Sequence, residues 1–265
     1  MLVRGGDRAA AAAGGNRRLS LPGVHAPGGG GTGNGIMTAR WRIDAVLLDM
    51  DGTLVDSERV NIAALEAALA AHGFADGRVV AQGMIGLATP ECEQMLRDRY
   101  GDNVPLAAIN DAFVVERDAM MHEGLPAKPG ALALLDALRE AECPMAVVTA
   151  SSRHSAEHHL TAAGIRPRFD VVVTRDDVAQ TKPHPELYLL GARRLGVDPR
   201  HCIAVEDSAV GIAAAHAAGA TVLMVPDILP PTELSRAQCA AVLPDLYAVL
   251  TMLRERGGLG LVPSE

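Results

Sequence analysis

Two carboxylates two residues apart, Asp49 and Asp51, follow a short apolar run and stand just before Gly52-Thr53. Three more groups of polar residues follow apolar runs further along: Thr149-Ala150-Ser151-Ser152, Thr181-Lys182-Pro183-His184, and Glu206-Asp207-Ser208. A lone Asp-x-Asp after a strand often does no more than cap a turn. Four such groups in one chain argue for shared chemistry instead. Crowded carboxylates repel and raise each other's pKa values. A hard divalent cation relieves that repulsion, and carboxylates with a backbone carbonyl and retained water describe a Mg²⁺ site. A lysine ammonium and a threonine hydroxyl beside it suit the oxygens of a phosphoryl group.

These residues can meet only if the chain folds so that the apolar runs lie side by side. Residues 45–48, 145–148, 170–173, 202–205 and 221–225 are short runs, apolar but for Asp170 and Thr221 at their starts, without polar alternation. That pattern suits parallel strands buried on both faces. Leu132, Leu135 and Leu138 mark a helical face between two of them, and Gly73, Gly164, Gly196 and Gly219 stand where helices should end in left-handed caps. The rhythm predicts an α/β fold, a doubly wound (Rossmann-like) parallel sheet. Neighbouring parallel strands lie about 4.8 Å apart. Their end loops therefore bring Asp49, Asp51, Thr149, Lys182 and Asp207 to one edge. Between residues 59 and 128 no strand is expected. Helices at 60–71, 90–100 and 106–122 are expected instead, an inserted α-helical cap over the edge where such sheets bind ligands.

Composition narrows the classes. The chain has 265 residues, 49% apolar and 21% charged, with a net charge of −8. A phosphate-tracking surface would need a basic excess, so no nucleic-acid partner is expected. No run of 18 apolar residues occurs, so no membrane span is expected. Cys92, Cys143, Cys202 and Cys239 show neither zinc nor disulfide spacing and read as reduced thiols of a cytoplasmic protein. A monomer is the expected state. Residues 1–36 hold 11 of the 27 glycines and an Ala run, and read as a disordered leader, with Met37 the candidate true start. The α/β core is then expected at 37–58 and 129–265, with the cap at 59–128. Only two of the 24 basic residues are lysines, Lys128 and Lys182. Lys182 is read as the phosphate contact, Lys128 as a hinge or surface residue. Without the leader the balance deepens to 20 basic against 31 acidic residues, a net of −11. An anionic substrate then depends on the cation and Lys182 for its welcome.

Asp49-x-Asp51-Gly-Thr, Thr149, Lys182-Pro and Glu206-Asp207 resemble, in order and spacing, the four motifs of the haloacid dehalogenase superfamily. The resemblance covers nearly all of 43–256. It is nearest to the phosphosugar phosphatase and β-phosphoglucomutase subgroup, through Asp-Met-Asp-Gly-Thr-Leu-Val-Asp-Ser-Glu at 49–58 and Glu-Asp-Ser-x-x-Gly-Ile at 206–212. It implies a Mg²⁺-dependent phosphatase acting on a small phosphorylated metabolite of the sugar-phosphate kind. Asp49 would be the nucleophile that forms an aspartyl-phosphate. Asp51 would be the general acid and base. Thr149, Ala150 and Lys182 would hold the phosphoryl oxygens. Asp49, Asp51 (through its carbonyl), Asp207 and Glu206 would hold the metal.

Departures from relatives separate the subgroups. Dehalogenases of this superfamily lack the second aspartate, which Asp51 supplies here. Phosphonoacetaldehyde hydrolases use a cap lysine, and 59–127 contains none. β-Phosphoglucomutase carries Lys-Gly-x-x-Arg in its cap loop. The matching stretch here is Ile85-Gly86-Leu87-Ala88-Thr89, so Gly86 and Thr89 are the candidate substrate contacts, and Asn61 stands where a histidine is expected. Loss of these cationic contacts favours a phosphatase over a mutase. Arg59, Arg78, Arg97, Arg99 and Arg117 keep the mutase as the alternative. A non-catalytic binding module on the same fold is the second alternative, although such modules usually lose a motif carboxylate. Ser208 is read as a hydrogen-bonding residue of the Glu206-Asp207 loop. His154, His158 and His159 are expected on an exposed helix, and with His184 are read as non-catalytic.

Overall fold

The computed structural model describes residues 40–85, 87 and 89–257. The leader expected at 1–36 lies outside the described residues. Strands form at β1 (Ala45–Leu48), β2 (Met145–Val148), β3 (Val171–Val173), β4 (Cys202–Glu206), β5 (Thr221–Met224) and β6 (Ala241–Val242). They make one parallel sheet in the order β3-β2-β1-β4-β5-β6. The first five strands are those foreseen from the apolar runs. β6 is two residues long and partly buried, too short to leave a period in the sequence.

β1, β2 and β4 are buried on both faces throughout, so no polar alternation arises. Val46 and Leu48 point to one side, into a core with Leu134, Leu138, Leu160 and Val249. Ala45 and Leu47 point to the other, against Leu187, Tyr188, Ile212 and Ala215. The covering helices are α5 (Ala131–Glu140), α6 (Arg153–Ala162) and α10 (Leu246–Gly257) on the first side. α7 (Glu186–Leu195) and α8 (Ala209–Ala217) cover the second, and α9 (Glu233–Gln238) packs on α8. Fully buried leucines of this kind contribute about 1.5–3 kcal/mol each. That suffices to build a core with almost no aromatic residues.

Between β1 and α5 the chain inserts four helices: α1 (Ser57–Ala71), α2 (Gly77–Gly83), α3 (Thr89–Tyr100) and α4 (Leu106–His122). Three match the expected segments. α2 was not foreseen, because seven residues are too few to show a helical period. The insert has a small core of its own, Leu69, Val80, Leu96, Val104 and Ile109. Phe74 stacks on Tyr100 with ring centroids 4.0 Å apart. No helix among the described residues is long and apolar enough to cross a membrane.

The strand order reverses direction between β1 and its neighbours β2 and β4. Such a switch point opens a crevice at the carboxyl ends of the strands. Every motif of the sequence analysis ends there.

Candidate active site

Asp49 is fixed by the sheet itself: its N–H donates to Val205 O at 3.0 Å, extending the β1–β4 ladder by one residue. The chain then turns tightly, with Gly52 N–H donating to Val55 O at 2.9 Å. Gly52 has φ +82°. A Cβ there would also overlap the Asp207 carboxylate. Glycine is required on both counts, and its absence of a side chain lets the β1 turn lie against the β4 loop.

Beneath this turn sits a buried charge cluster. Lys182 Nζ donates to Asp49 Oδ1, to Glu206 Oε1 at 2.6 Å and to Val148 O at 3.0 Å. All three ammonium protons are therefore used. Glu206 is fully buried and equally occupied. Its Oε1 also accepts from Tyr188 OH at 2.7 Å. Its Oε2 accepts from the N–H groups of Asp207 and Ser208, both at 3.2 Å, and from Ser208 Oγ at 3.0 Å. Ser208 in turn caps α8 by accepting from Gly211 N–H. Ser208 thus does the hydrogen bonding expected of it.

Burial works against ionisation of Lys182, but the charges of Asp49 and Glu206 outweigh it and hold its pKa above the ordinary lysine value. Burial pushes Asp49 up, since Lys182 answers only part of the cost. Asp207 is pushed up as well, by burial and by the charges of Asp49 and Glu206. Ligand atoms of Asp49, Glu206 and Asp207 lie within 4.8 Å of one another. Three close carboxylates, two of them resisting ionisation, suit a divalent cation.

Asp51 faces a different environment. Burial would raise its pKa, but hydrogen bonding lowers it below the ordinary carboxylate value. Its Oδ1 accepts from Ser57 Oγ at 2.7 Å and lies 2.8 Å from His159 Nδ1. Its Oδ2 accepts from Ser151 Oγ at 2.6 Å. Two aspartates two residues apart thus have opposite electrostatics: without a cation the fold favours the neutral form of Asp49 and the charged form of Asp51.

A model of the haloacid dehalogenase-like hydrolases matches residues 43–219. The chain belongs to that family. Hexitol phosphatase A of Escherichia coli is 35% identical over 188 residues, covering 69% of this chain and 83% of that protein. Fructose-1-phosphate phosphatase YqaB of the same organism is 33% identical over 184 residues, covering 67% and 94%. A haloacid dehalogenase family hydrolase of Deinococcus radiodurans, solved with bound phosphate and sodium, superposes with a TM-score of 0.73 at 33% identity, covering 84% and 99%. This haloacid dehalogenase-like hydrolase is an enzyme of the phosphatase type, with the carboxylate cluster of that chemistry intact.

A cavity of about 720 Å³ opens over the cluster of this hydrolase. Asp49, Asp51, Thr149, Ala150, Lys182 and Asp207 line it, while Glu206 lies beneath with no exposure. Thr149 is buried, and its Oγ1 accepts from Ser151 N–H at 3.0 Å. From the insert come Glu58, Asn61, Ile85 and Arg117. Thr89, a candidate substrate contact, starts α3, is exposed and is not among the lining residues. Gly86 lies outside the described residues.

The cap arginines separate. Arg59 pairs with Asp56 at 2.6 Å, Arg78 with Glu66 at 2.9 Å and Arg97 with Glu93 at 3.3 Å, while Arg99 pairs with Asp76. Arg117 pairs with Asp118 at 2.9 Å, and of the five it alone lines the cavity.

Two readings of single residues need correction. His159 is not on an exposed face: it is 8% exposed and touches Asp51. The buried residues of α6 are Ala156, His159 and Leu160. Their i, i+3, i+4 spacing was visible in the sequence and put His159 on the inner stripe. Lys128 is not a surface residue. Its side chain is 10% exposed and pairs at 2.5 Å with Asp227, just beyond β5. Asp227 also lines the cavity. No motif drew attention to it, since its partner is 99 residues away.

Proposed function

We propose that this hydrolase is a Mg²⁺-dependent phosphatase of a small phosphorylated metabolite, of the sugar- or polyol-phosphate class, working through an aspartyl-phosphate on Asp49. The observation that carries this reading is Lys182 clamped between Asp49 and Glu206 on the cavity floor. That arrangement puts a fixed cation beside the carboxylate that would attack phosphorus. The named activities of the relatives, on a hexitol phosphate and on fructose 1-phosphate, point to the same substrate class.

The residues divide the work as follows. The Asp49 carboxylate forms a bond to phosphorus as the bond to the leaving oxygen breaks, and Asp51 gives that oxygen its proton. Asp51 then takes a proton from the water that attacks phosphorus and frees Asp49. Thr149 and the Ala150 backbone would hold phosphoryl oxygens, and Lys182, whose three protons go to Asp49, Glu206 and Val148, would turn one of them from Asp49 to a phosphoryl oxygen. A bound Mg²⁺, held by Asp49, Asp207 and the Asp51 carbonyl, would screen the nucleophile from the phosphate and neutralise developing charge. Both oxygens of Glu206 are already engaged, which suits it to aiming Lys182 more than to ligating the cation. Asn61, Ile85 and Arg117 would meet the alcohol part of the substrate.

The test is phosphate release from a panel of phosphometabolites with Mg²⁺, beside Asp49→Asn. Wild-type release with some member of the panel and none from the variant is the expected result. Near-normal release by Asp49→Asn would sink the assignment. Arg117 in the cavity favours a second reading, a phosphomutase that grips a second phosphate. Conversion of β-glucose 1-phosphate to glucose 6-phosphate without phosphate release would select it.

A further inference from the structure

His159 stands outside all four motifs, yet it reaches the centre of the site. Its Nδ1 lies 2.8 Å from Asp51 Oδ1, and its side chain is only 10% exposed. A carboxylate only accepts, so the Nδ1 that faces it carries the proton. Two hydroxyls complete the cradle, Ser57 Oγ on the same oxygen at 2.7 Å and Ser151 Oγ on Oδ2 at 2.6 Å. The three donors come from three different parts of the fold. Ser57 opens α1, where the chain leaves for the cap; Ser151 follows β2; His159 sits on α6. The returning linker is tied to that same helix, since Leu125 N–H donates to Ala162 O at 3.4 Å.

We propose that His159 is a positioning residue for the proton transfers of Asp51. Its buried imidazole fixes the direction in which the Asp51 carboxyl presents its oxygens to the leaving group. Serine hydroxyls rotate freely about one bond and cannot fix that direction alone. An imidazole locked in the packed face of α6 beside Ala156 and Leu160 can. The inference rests on Asp51 being the general acid. In that step the Asp51 O–H bond breaks, and its proton goes to the ester oxygen as the phosphorus–oxygen bond breaks.

The experiment compares kcat/KM for two esters, because that constant ends at phosphoryl transfer to Asp49. A sugar phosphate leaves as an alcohol and needs the proton, whereas p-nitrophenyl phosphate leaves as a stable phenolate and does not. His159→Ala should lower kcat/KM for the sugar phosphate by about 10-fold or more, part of the 10²–10⁴ that general acid catalysis supplies. It should leave p-nitrophenyl phosphate within about 3-fold, well below the effect that acid catalysis supplies. His159→Asn, whose amide nitrogen can sit where Nδ1 does, should restore the ratio. If His159→Ala does not fold, His159→Gln, whose amide sits near the Nε2 position, replaces it with the same expectation. An equal loss on both esters, or an unchanged ratio, overturns the role of His159. Asp51→Asn separates the two ideas. If that variant keeps its sugar-phosphate activity, the assignment of Asp51 itself fails. If it loses it while the His159 variants keep the wild-type ratio, only the present inference fails.

Discussion

Lys182 Nζ donates to Glu206 Oε1 at 2.6 Å, with the two side chains 4% and 0% exposed. The pair joins the loop after β3 to the end of β4, and Asp49 completes it from β1. Replacing Lys182 by Met removes the cation and leaves two buried carboxylates facing each other. Removing one partner from a buried pair typically costs about 3–5 kcal/mol. Lys182→Met should therefore lose about that much stability in metal-free urea unfolding, and all measurable turnover. A loss below about 1 kcal/mol, the value of an exposed pair, would show that the cluster is not under this tension.

Gly211 touches the same carboxylate from above. A Cβ at this position of α8 would overlap the Glu206 side chain. Backbone and carboxylate can then coexist only if Glu206 moves off Lys182. Gly211→Ala, a mild change on an ordinary helix, should cost about 1–3 kcal/mol as overpacking. It should also reduce kcat at least 10-fold, by an order-of-magnitude reading of a misplaced active-site charge. Steady-state kinetics beside chemical unfolding checks both, and a stabilised, fully active variant would contradict the reading.

Asp49 and Asp207 both resist ionisation because they are buried close to other carboxylates. A bound divalent cation should remove that resistance. At 100 times its dissociation constant a ligand of the native state adds about 2.7 kcal/mol. For a chain of this size that is roughly 5–10 °C in Tm. Adding Mg²⁺ after chelation should raise Tm by this order, and Asp207→Asn should remove most of the rise. No shift in the wild type, at concentrations that support turnover, would argue against a site at these carboxylates.

Lys128 and Asp227 form a second buried pair, between the linker that returns from the cap and the loop after β5. Asp227 Oδ2 has no hydrogen-bond partner among the described residues, so Lys128 carries most of the compensation. Lys128→Met should cost about 3 kcal/mol, the low end for a broken buried pair, because Arg59 Nη1 lies 3.8 Å away and can partly substitute. Asp227→Leu combined with Lys128→Met should recover part of the loss. A double-mutant cycle by urea unfolding measures the coupling, and additive losses would exclude it.

Much of the site was legible in the chain because strand ends are local features. Asp49, Asp51, Thr149, Glu206 and Asp207 each stand within a few residues of an apolar run and Lys182 in the loop after the third, and a parallel sheet has only one edge at which such ends collect. The cap helices were legible for the same reason, where they were long enough to show a period. The seven residues of α2 and the two of β6 were not.

What the tertiary structure alone decided concerns contacts made across the fold. The sequence determined that Asp49 and Asp51 share a turn; only packing gave one a lysine and the other a histidine with two serines. Lys182 was recognisable as a candidate phosphate contact. That Tyr188 and Ser208 hold its partner Glu206 was not. The pairing of Lys128 with Asp227 and the contact of His159 with Asp51 depend on where α6 and the β5 loop come to rest. Local periodicity specifies which residues face a core. The approach of two helices or loops from distant parts of the chain is set by the summed packing of the whole domain, and no short stretch of sequence carries that sum.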